Sequence, residues 1–222
     1  MALEKLESIE WLGHAGFRLK LGGQIVYIDP YRTAGGPEAD LILITHDHFD
    51  HFSPDDVQRL AGESTRLVGP ATVTEQLKGA ATAIAPGQSV EVAGLEITAV
   101  AAYNTNKVGS DGKPFHPRES GWIGYVIEAA GRKIYHSGDT DVIPEMDQAT
   151  GVDIALLPVS GTYVMTALEA AEAARRIGPR IAVPMHWGTV IGSRADAEQF
   201  ADCAAVEVRI PEKDGEAIGA QG

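Results

Sequence analysis

Apolar and polar residues alternate with a period of two through Ile9-Glu10-Trp11, which Leu12 extends, and again through Phe17-Arg18-Leu19-Lys20-Leu21. A third run, Gln24-Ile25-Val26-Tyr27-Ile28, follows after Gly22-Gly23. Alternation of this kind marks half-buried strands, and a Gly-Gly pair between two of them marks a hairpin, so the chain is predicted to begin as a β-meander. Leu41-Ile42-Leu43-Ile44 is instead continuously apolar, the pattern of a short strand covered on both faces. A helix is predicted to start at Ser53-Pro54-Asp55-Asp56, where Ser caps, Pro occupies the first position and acids fill the first turn. It should end near Gly62.

The second half repeats this plan. Asp40-Leu41-Ile42-Leu43-Ile44 corresponds to Asp153-Ile154-Ala155-Leu156-Leu157 at an offset of 113, and the caps Ser53 and Thr166 share that offset. Thr166-Ala167-Leu168-Glu169 is a capping box opening a helix that runs to Ile177 and stops at Gly178-Pro179. Arg66-Leu67-Val68-Gly69-Pro70 then matches Arg180-Ile181-Ala182-Val183-Pro184 at an offset of 114. A period this long indicates a duplicated half-domain rather than a solenoid. Each half is expected to lay its strands in one sheet and its helices on that sheet's outer face. The result is an α/β protein, a four-layer αββα sandwich with an internal pseudo-repeat. No low-complexity linker separates the halves, so a single domain over residues 1–222 is expected, with Pro211 to Gly222 as a loose tail.

Composition narrows the class without changing the fold. A hydrophobic fraction of 44% and a charged fraction of 22% are those of a globular protein. Met1 to Glu10 lacks the basic start and apolar middle of a secretory signal, which places the protein in the cytoplasm with no membrane partner. The net charge of −13, without any Lys or Arg cluster, argues against nucleic acid as partner and leaves a small molecule. Cys203, the sole cysteine, cannot form an internal disulfide, and its apolar neighbours suggest a small buried filler. Nothing in the sequence sets an oligomeric state.

The chemistry is concentrated in Thr45-His46-Asp47-His48-Phe49-Asp50-His51, directly after the buried strand, where loops on α/β sheets converge. On an extended chain His46 and His48 point one way and can share a cation. The turn required before Ser53 lets Asp50 and His51 face a second one. Burying so many imidazoles and carboxylates without metal would leave polar groups unpaired at a cost of several kcal/mol. Asp47 reads as an acid that does not ligate. Asp29, between a strand and Pro30, can orient a ligand histidine through the ring's other nitrogen.

With Tyr27-Ile28-Asp29-Pro30, Ser137-Gly138-Asp139-Thr140 and Pro184-Met185-His186-Trp187, this His-x-His-x-Asp-His run resembles the metallo-β-lactamase superfamily over most of the chain. Gly13-His14-Ala15-Gly16 and Tyr135-His136-Ser137-Gly138-Asp139-Thr140-Asp141 are similar to small stand-alone hydrolases related to L-ascorbate-6-phosphate lactonase. The resemblance implies His46 and His48 as ligands of a first metal, and Asp50, His51 and His186 as ligands of a second. Asp139 would bridge the two. The third histidine of the first site is open between His116 and a place occupied by Asn104, with His116 favoured. His14 is either an acid, base or supporting group beside the metals or a packed strand-end residue. His136 reads as supporting or structural.

Such a pair of divalent cations, zinc by default and manganese, iron or nickel as alternatives, lowers the pKa of a shared water toward about 7. The expected activity is therefore hydrolysis of an ester, lactone or phosphodiester by a metal-bridged hydroxide, with His14, Asp50 or a metal-bound water as acid. Lys107, Lys113 and Arg118 lie in a loop where they could meet an anionic substrate, and Trp122, Tyr163, Met165 and Trp187 could form an apolar wall. The competing functions are a phosphodiesterase or nuclease, a redox di-iron protein and a non-catalytic metal-binding module. A di-iron protein of this fold would more naturally carry Glu at the position of His48.

Overall fold

The alternating segments at the start of the chain pair as an antiparallel meander of β1 (Leu6–Gly13), β2 (Gly16–Leu21) and β3 (Gln24–Ile28). The computed structural model describes residues 6–77, 81–129, 131–213 and 218. Of the expected tail, 214–217 and 219–222 lie outside the described residues, while Ile218 is buried and its amide donates to Ile9 O. The continuous apolar run forms β4 (Ala39–Leu43), parallel to β3. α1 (Pro54–Leu60) begins at the Ser53 cap, whose side chain accepts from the Asp56 amide. β5 (Ala61–Gly69), the one-turn α2 (Ala71–Thr74) and β6 (Ala81–Ala83) complete the first sheet, in the order β1-β2-β3-β4-β5-β6.

The second sheet takes β7 (Ser89–Val92), β8 (Leu95–Ala101), β9 (Ile123–Ala129) and β10 (Arg132–His136) as antiparallel strands. It then adds β11 (Ile154–Pro158), β12 (Ile181–Met185) and β13 (Glu207–Val208) in parallel. α3 (Ala167–Ile177) connects β11 to β12, and α4 (Arg194–Cys203) connects β12 to β13. The Thr166 capping box forms as expected, and Gly178 ends α3 in the left-handed region. β1 to β6 and β8 to β13 thus run in the same order, three antiparallel strands followed by parallel additions, with β7 as an extra edge.

The pairing corrects one detail of the repeat. Leu41 pairs with Arg66, and its counterpart Ile154 pairs with Ile181, so the last equivalent strands are displaced by 115 residues rather than 114. Pro184 therefore lies inside β12 instead of closing it as Pro70 closes β5. It is tolerated because β13 pairs only with Ile181 and Ala182, leaving no partner for the missing N–H.

Strand alternation separates the layers. Leu12, Tyr27, Ile42 and Ile44 pack outward against Val57 and Leu60 of α1 and Val73 of α2. Leu41 and Leu43 face the other way, into the core shared with Ile97, Tyr125 and Ile127 of the second sheet. Tyr125 crosses that core to donate its hydroxyl to Ile44 O at 2.7 Å. α3 turns Ala170, Ala173, Ala174 and Ile177 inward, the spacing of one helical face, and lies against β11 and α4. Cys203 departs from expectation: it ends α4 exposed, while Ala197 and Phe200 carry the buried stripe. No helix among the described residues is long and apolar enough to cross a membrane.

Gly124 sets how closely β9 lies to the end of β10. A Cβ there would stand 2.5 Å from the carbonyl oxygens of both His136 and Ser137, and these are backbone atoms that cannot swing aside. Gly124→Ala is expected to lose about 1–3 kcal/mol of stability, the usual cost of overpacking. Denaturant titration would show this as a lower midpoint.

Candidate metal centre

The ends of strands from both sheets meet at one edge of the sandwich. His14 comes from the β1–β2 turn, Asp29 follows β3, His46 to His51 follow β4, Asp139 follows β10 and His186 follows β12. Amides of His51 and Phe52 both donate to His48 O, and this reversal folds the segment back so that the ring of His51 lies 4.1 Å from that of His46. Two groups of donors result, joined by a third set. His46, His48 and His116 offer atoms within 4.8 Å of one another, and so do His14, Asp50, His51 and His186, while Asp29 does so with His46 from the first and His51 from the second.

Asp139 reaches both groups. Its Oδ2 lies 3.2 Å from His116 Nε2 and 3.0 Å from His186 Nε2, and its Oδ1 lies 3.2 Å from His51 Nε2. Yet Asp139 Oδ1 and the Nε2 atoms of His51, His116 and His186 are buried without a hydrogen-bond partner, as is His14 Nδ1. Each such atom costs about 1–3 kcal/mol, and folded proteins retain few. Their convergence on common points is what cations require. The donors present therefore fit divalent metal.

The other ring nitrogens are committed, which selects the tautomer. Asp29 accepts from the Thr45 amide at 2.8 Å and from the Thr45 hydroxyl at 2.6 Å, and from His51 Nδ1 at 2.7 Å. Having given its proton to Asp29, Thr45 Oγ1 is free to accept from His46 Nδ1, 2.9 Å away. One carboxylate thus directs the Nε2 lone pairs of His46 and His51, one from each group, toward the centre. Ser160 Oγ stands 3.0 Å from His186 Nδ1 and fixes that ring. Asn104 Oδ1 accepts from both the amide (2.8 Å) and Nδ1 (3.0 Å) of His116. The side chain weighed as an alternative ligand instead holds the ring of the histidine.

His14 Nε2 donates to Asp50 Oδ2 at 2.9 Å, and its carbonyl accepts from the His186 amide at 2.8 Å. His14, Asp29 and His186 all adopt positive φ (54°, 44° and 61°), a conformation costing on the order of 1–3 kcal/mol each and concentrated at functional sites. His136 is fully satisfied: Nε2 donates to Ala15 O at 2.9 Å, and Nδ1 accepts from the Gly138 amide at 3.1 Å. Asp47 accepts from Trp122 Nε1 at 2.9 Å and so stays outside both groups. Trp122 walls the three-histidine group, its ring 4.6 Å from that of His48. Trp187 stacks on Trp11 in the core and Met165 is fully buried, so neither forms the expected wall.

Electrostatics follow from burial and crowding. Burial lowers His14 to about 4 against the opposing pull of Asp50. Burial, then neighbouring histidines, lower His46 well below the ordinary range and lower His48. For His51 burial acts the same way, but Asp139 and Asp29 outweigh it and raise it well above that range. Burial opposes ionisation of Asp50, but the hydrogen bond from His14 and the charges of His51 and His14 together outweigh it and set Asp50 at about 2. Asp139 falls well below the carboxylate range despite its burial, through His186 and His51. Folded pKa values depressed below 6.5 mean that the unfolded chain binds more protons as pH falls. The metal-free protein is thus expected to lose stability between about pH 6.5 and 4 as His14, His46 and His48 must be charged; His51, whose contribution is already complete below 6.5, does not compensate. Urea titrations that are flat across this window would contradict the assignment.

A cavity of about 330 Å³ opens onto the centre, lined by His48, Asp50, His116, Asp139 and His186 together with Phe49, Phe115, Tyr163 and Val190. Of these, Phe49, Phe115 and Val190 were not singled out from the sequence, nor were Ser160 and Thr45 as ring partners. The loop cations are not at the cavity. Lys107 pairs with Glu169 and Asp141, Arg118 pairs with Glu145, and Lys113 is exposed and absent from the lining.

A sequence model described as the Beta-lactamase superfamily domain matches residues 8–186. A UPF0173 metal-dependent hydrolase of Methanopyrus kandleri is 34% identical over 208 residues, covering 86% of this chain and 89% of its own. Another, of Thermococcus onnurineus, is 37% identical over 210 residues, with 87% and 90% covered. The crystal structure of a candidate metal-dependent hydrolase from Parabacteroides distasonis superposes with a TM-score of 0.81 at 33% identity and covers 92% of each chain.

Proposed function

Because the chain belongs to the metallo-β-lactamase superfamily and to its metal-dependent hydrolases, we propose that it cleaves an ester, lactone or phosphodiester bond of a small molecule with two divalent cations. His46, His48 and His116 would hold one cation and Asp50, His51 and His186 the other, with Asp139 shared. Zinc suits this imidazole-rich set. The observation that carries the reading is the set of buried, unpartnered Nε2 and Oδ1 atoms on His51, His116, His186 and Asp139. When bound, such a pair supplies a nucleophilic hydroxide at neutral pH and an electrophile for the charge that develops on the scissile group.

The chain's own groups do the rest. Asp29, Thr45, Ser160 and Asn104 hold four imidazoles in the ligating tautomer. Asp50, ionised and facing the cavity, can take a proton and return it to the leaving group, while His14 holds that carboxylate in place. Trp122 and the apolar rim keep bulk water from the three-histidine side.

Metal analysis followed by a panel of lactones, thioesters and phosphodiesters tests the proposal. Chelation should abolish hydrolysis of at least one class, and added zinc should restore it. Intact metal content with no turnover across the panel would sink it.

A further inference from the structure

Four side chains at the mouth of the cavity are apolar or aromatic, with the Tyr163 hydroxyl as their one polar group, and they arise where the metal-centre segments leave it. Phe49 sits between His48 and Asp50, and Phe115 immediately precedes His116, so in each case the donor turns inward and the ring is left at the rim. Phe49 is 66% exposed and Val190 41%, an unusual concentration of large apolar surface around one opening. Phe115 and Tyr163 already pack edge to face, with ring centroids 4.8 Å apart, which makes that wall rigid before anything binds.

Among the described residues, no Lys or Arg lines the cavity. Lys107 Nζ lies 2.7 Å from Glu169 and 3.3 Å from Asp141, and Arg118 lies 2.6 Å from Glu145, so two cations of the neighbouring loop are paired with carboxylates, and the third, Lys113, is exposed and outside the lining. Bound cations would attract an anion at the reacting end, but no basic side chain of the lining is placed to hold an anionic group at the rim. A cavity of about 330 Å³ has room for on the order of ten non-hydrogen atoms, at about 30 Å³ for each water-sized unit.

Resting on the hydrolytic reading of the same site, we propose that the substrate's arm, the part remote from the reacting bond, is uncharged and apolar, a short alkyl or aryl group. Phe49, Phe115, Tyr163 and Val190 select it. The natural substrate is then an ester, thioester or lactone of a hydrophobic acid rather than a phosphorylated or dicarboxylic compound.

Binding to the zinc-loaded protein can be measured by calorimetry with three hydroxamates that share one metal-binding head: acetohydroxamate, hexanohydroxamate and succinic monohydroxamate. Hexanohydroxamate should bind at least about tenfold tighter than either of the others, since about two buried methylenes suffice for that factor. In the Phe49→Ala/Val190→Ala double variant, both positions being well exposed, the ratio between hexano- and acetohydroxamate should fall below about threefold. Equal affinities, preference for the succinic probe, no binding of any probe, or an unchanged ratio in the double variant would each overturn the assignment. Failure of every ester and lactone to turn over would remove the hydrolytic reading, while the binding ratio would still decide this one.

Discussion

Asp139→Ala is expected to lower kcat/KM by on the order of a thousandfold or more and to leave the protein with less bound metal. Among the described residues Asp139 is the carboxylate whose oxygens come within 3.2 Å of imidazoles from both donor groups, His116 on one side and His51 and His186 on the other. Its removal takes away a negative charge at the point where the two groups meet and a ligand proposed for both cations. Metal-derived stabilisation of a transition state amounts to several kcal/mol, and each 1.36 kcal/mol is about tenfold in rate. Asp139→Asn, which keeps the shape and loses the charge, should fall between the variant and the parent in metal content. An Asp139→Ala protein with full activity and full metal content would eliminate the shared-ligand role.

The second large effect is expected at a residue that touches no proposed cation. Asp29→Ala leaves the Thr45 amide and hydroxyl and His51 Nδ1 without their acceptor, all of them buried. Breaking such a network by removing one charged partner costs about 3–5 kcal/mol. In a chain of this size that corresponds to a fall of about 6–20 °C in Tm. Because both His46 and His51 lose the group that sets their tautomer, metal affinity should also fall by about 10- to 100-fold. Thermal unfolding with and without zinc separates the two consequences. A variant with lowered stability but unaltered zinc affinity would reduce Asp29 to a structural residue.

Much of this was legible because it is governed by local rules. The alternation of Phe17 to Leu21, the apolar run Leu41 to Ile44 and the caps Ser53 and Thr166 each specify their element within a few residues. The density of donors from His46 to His51 marks a metal centre without any knowledge of the fold. The supporting groups left no such trace. Asn104 meets His116 because the Asn104 amide donates to His116 O and the His116 amide to Asn104 Oδ1, a pairing of irregular segments that no periodicity reports. Ser160 and His186 are neighbours only through adjacent ends of β11 and β12. Reading Lys107 and Arg118 as anion receptors counted charges without their carboxylate partners, and Cys203 was judged by its neighbours in sequence rather than by the face of α4 it occupies.

The duplicated plan has a consequence for how the two halves are kept together. The three-histidine group takes His46 and His48 from the first half and His116 from the second; the other takes His14, Asp50 and His51 from the first and His186 from the second. Each proposed ion would therefore span the seam between the sheets and act as a cross-link, the service a disulfide performs in secreted proteins and one that the lone Cys203 cannot provide. Neither half carries a complete ligand set. Duplication followed by unequal loss of donors would lock the copies into mutual dependence, so that a fragment of either sheet inherits part of the strand plan but no reaction centre.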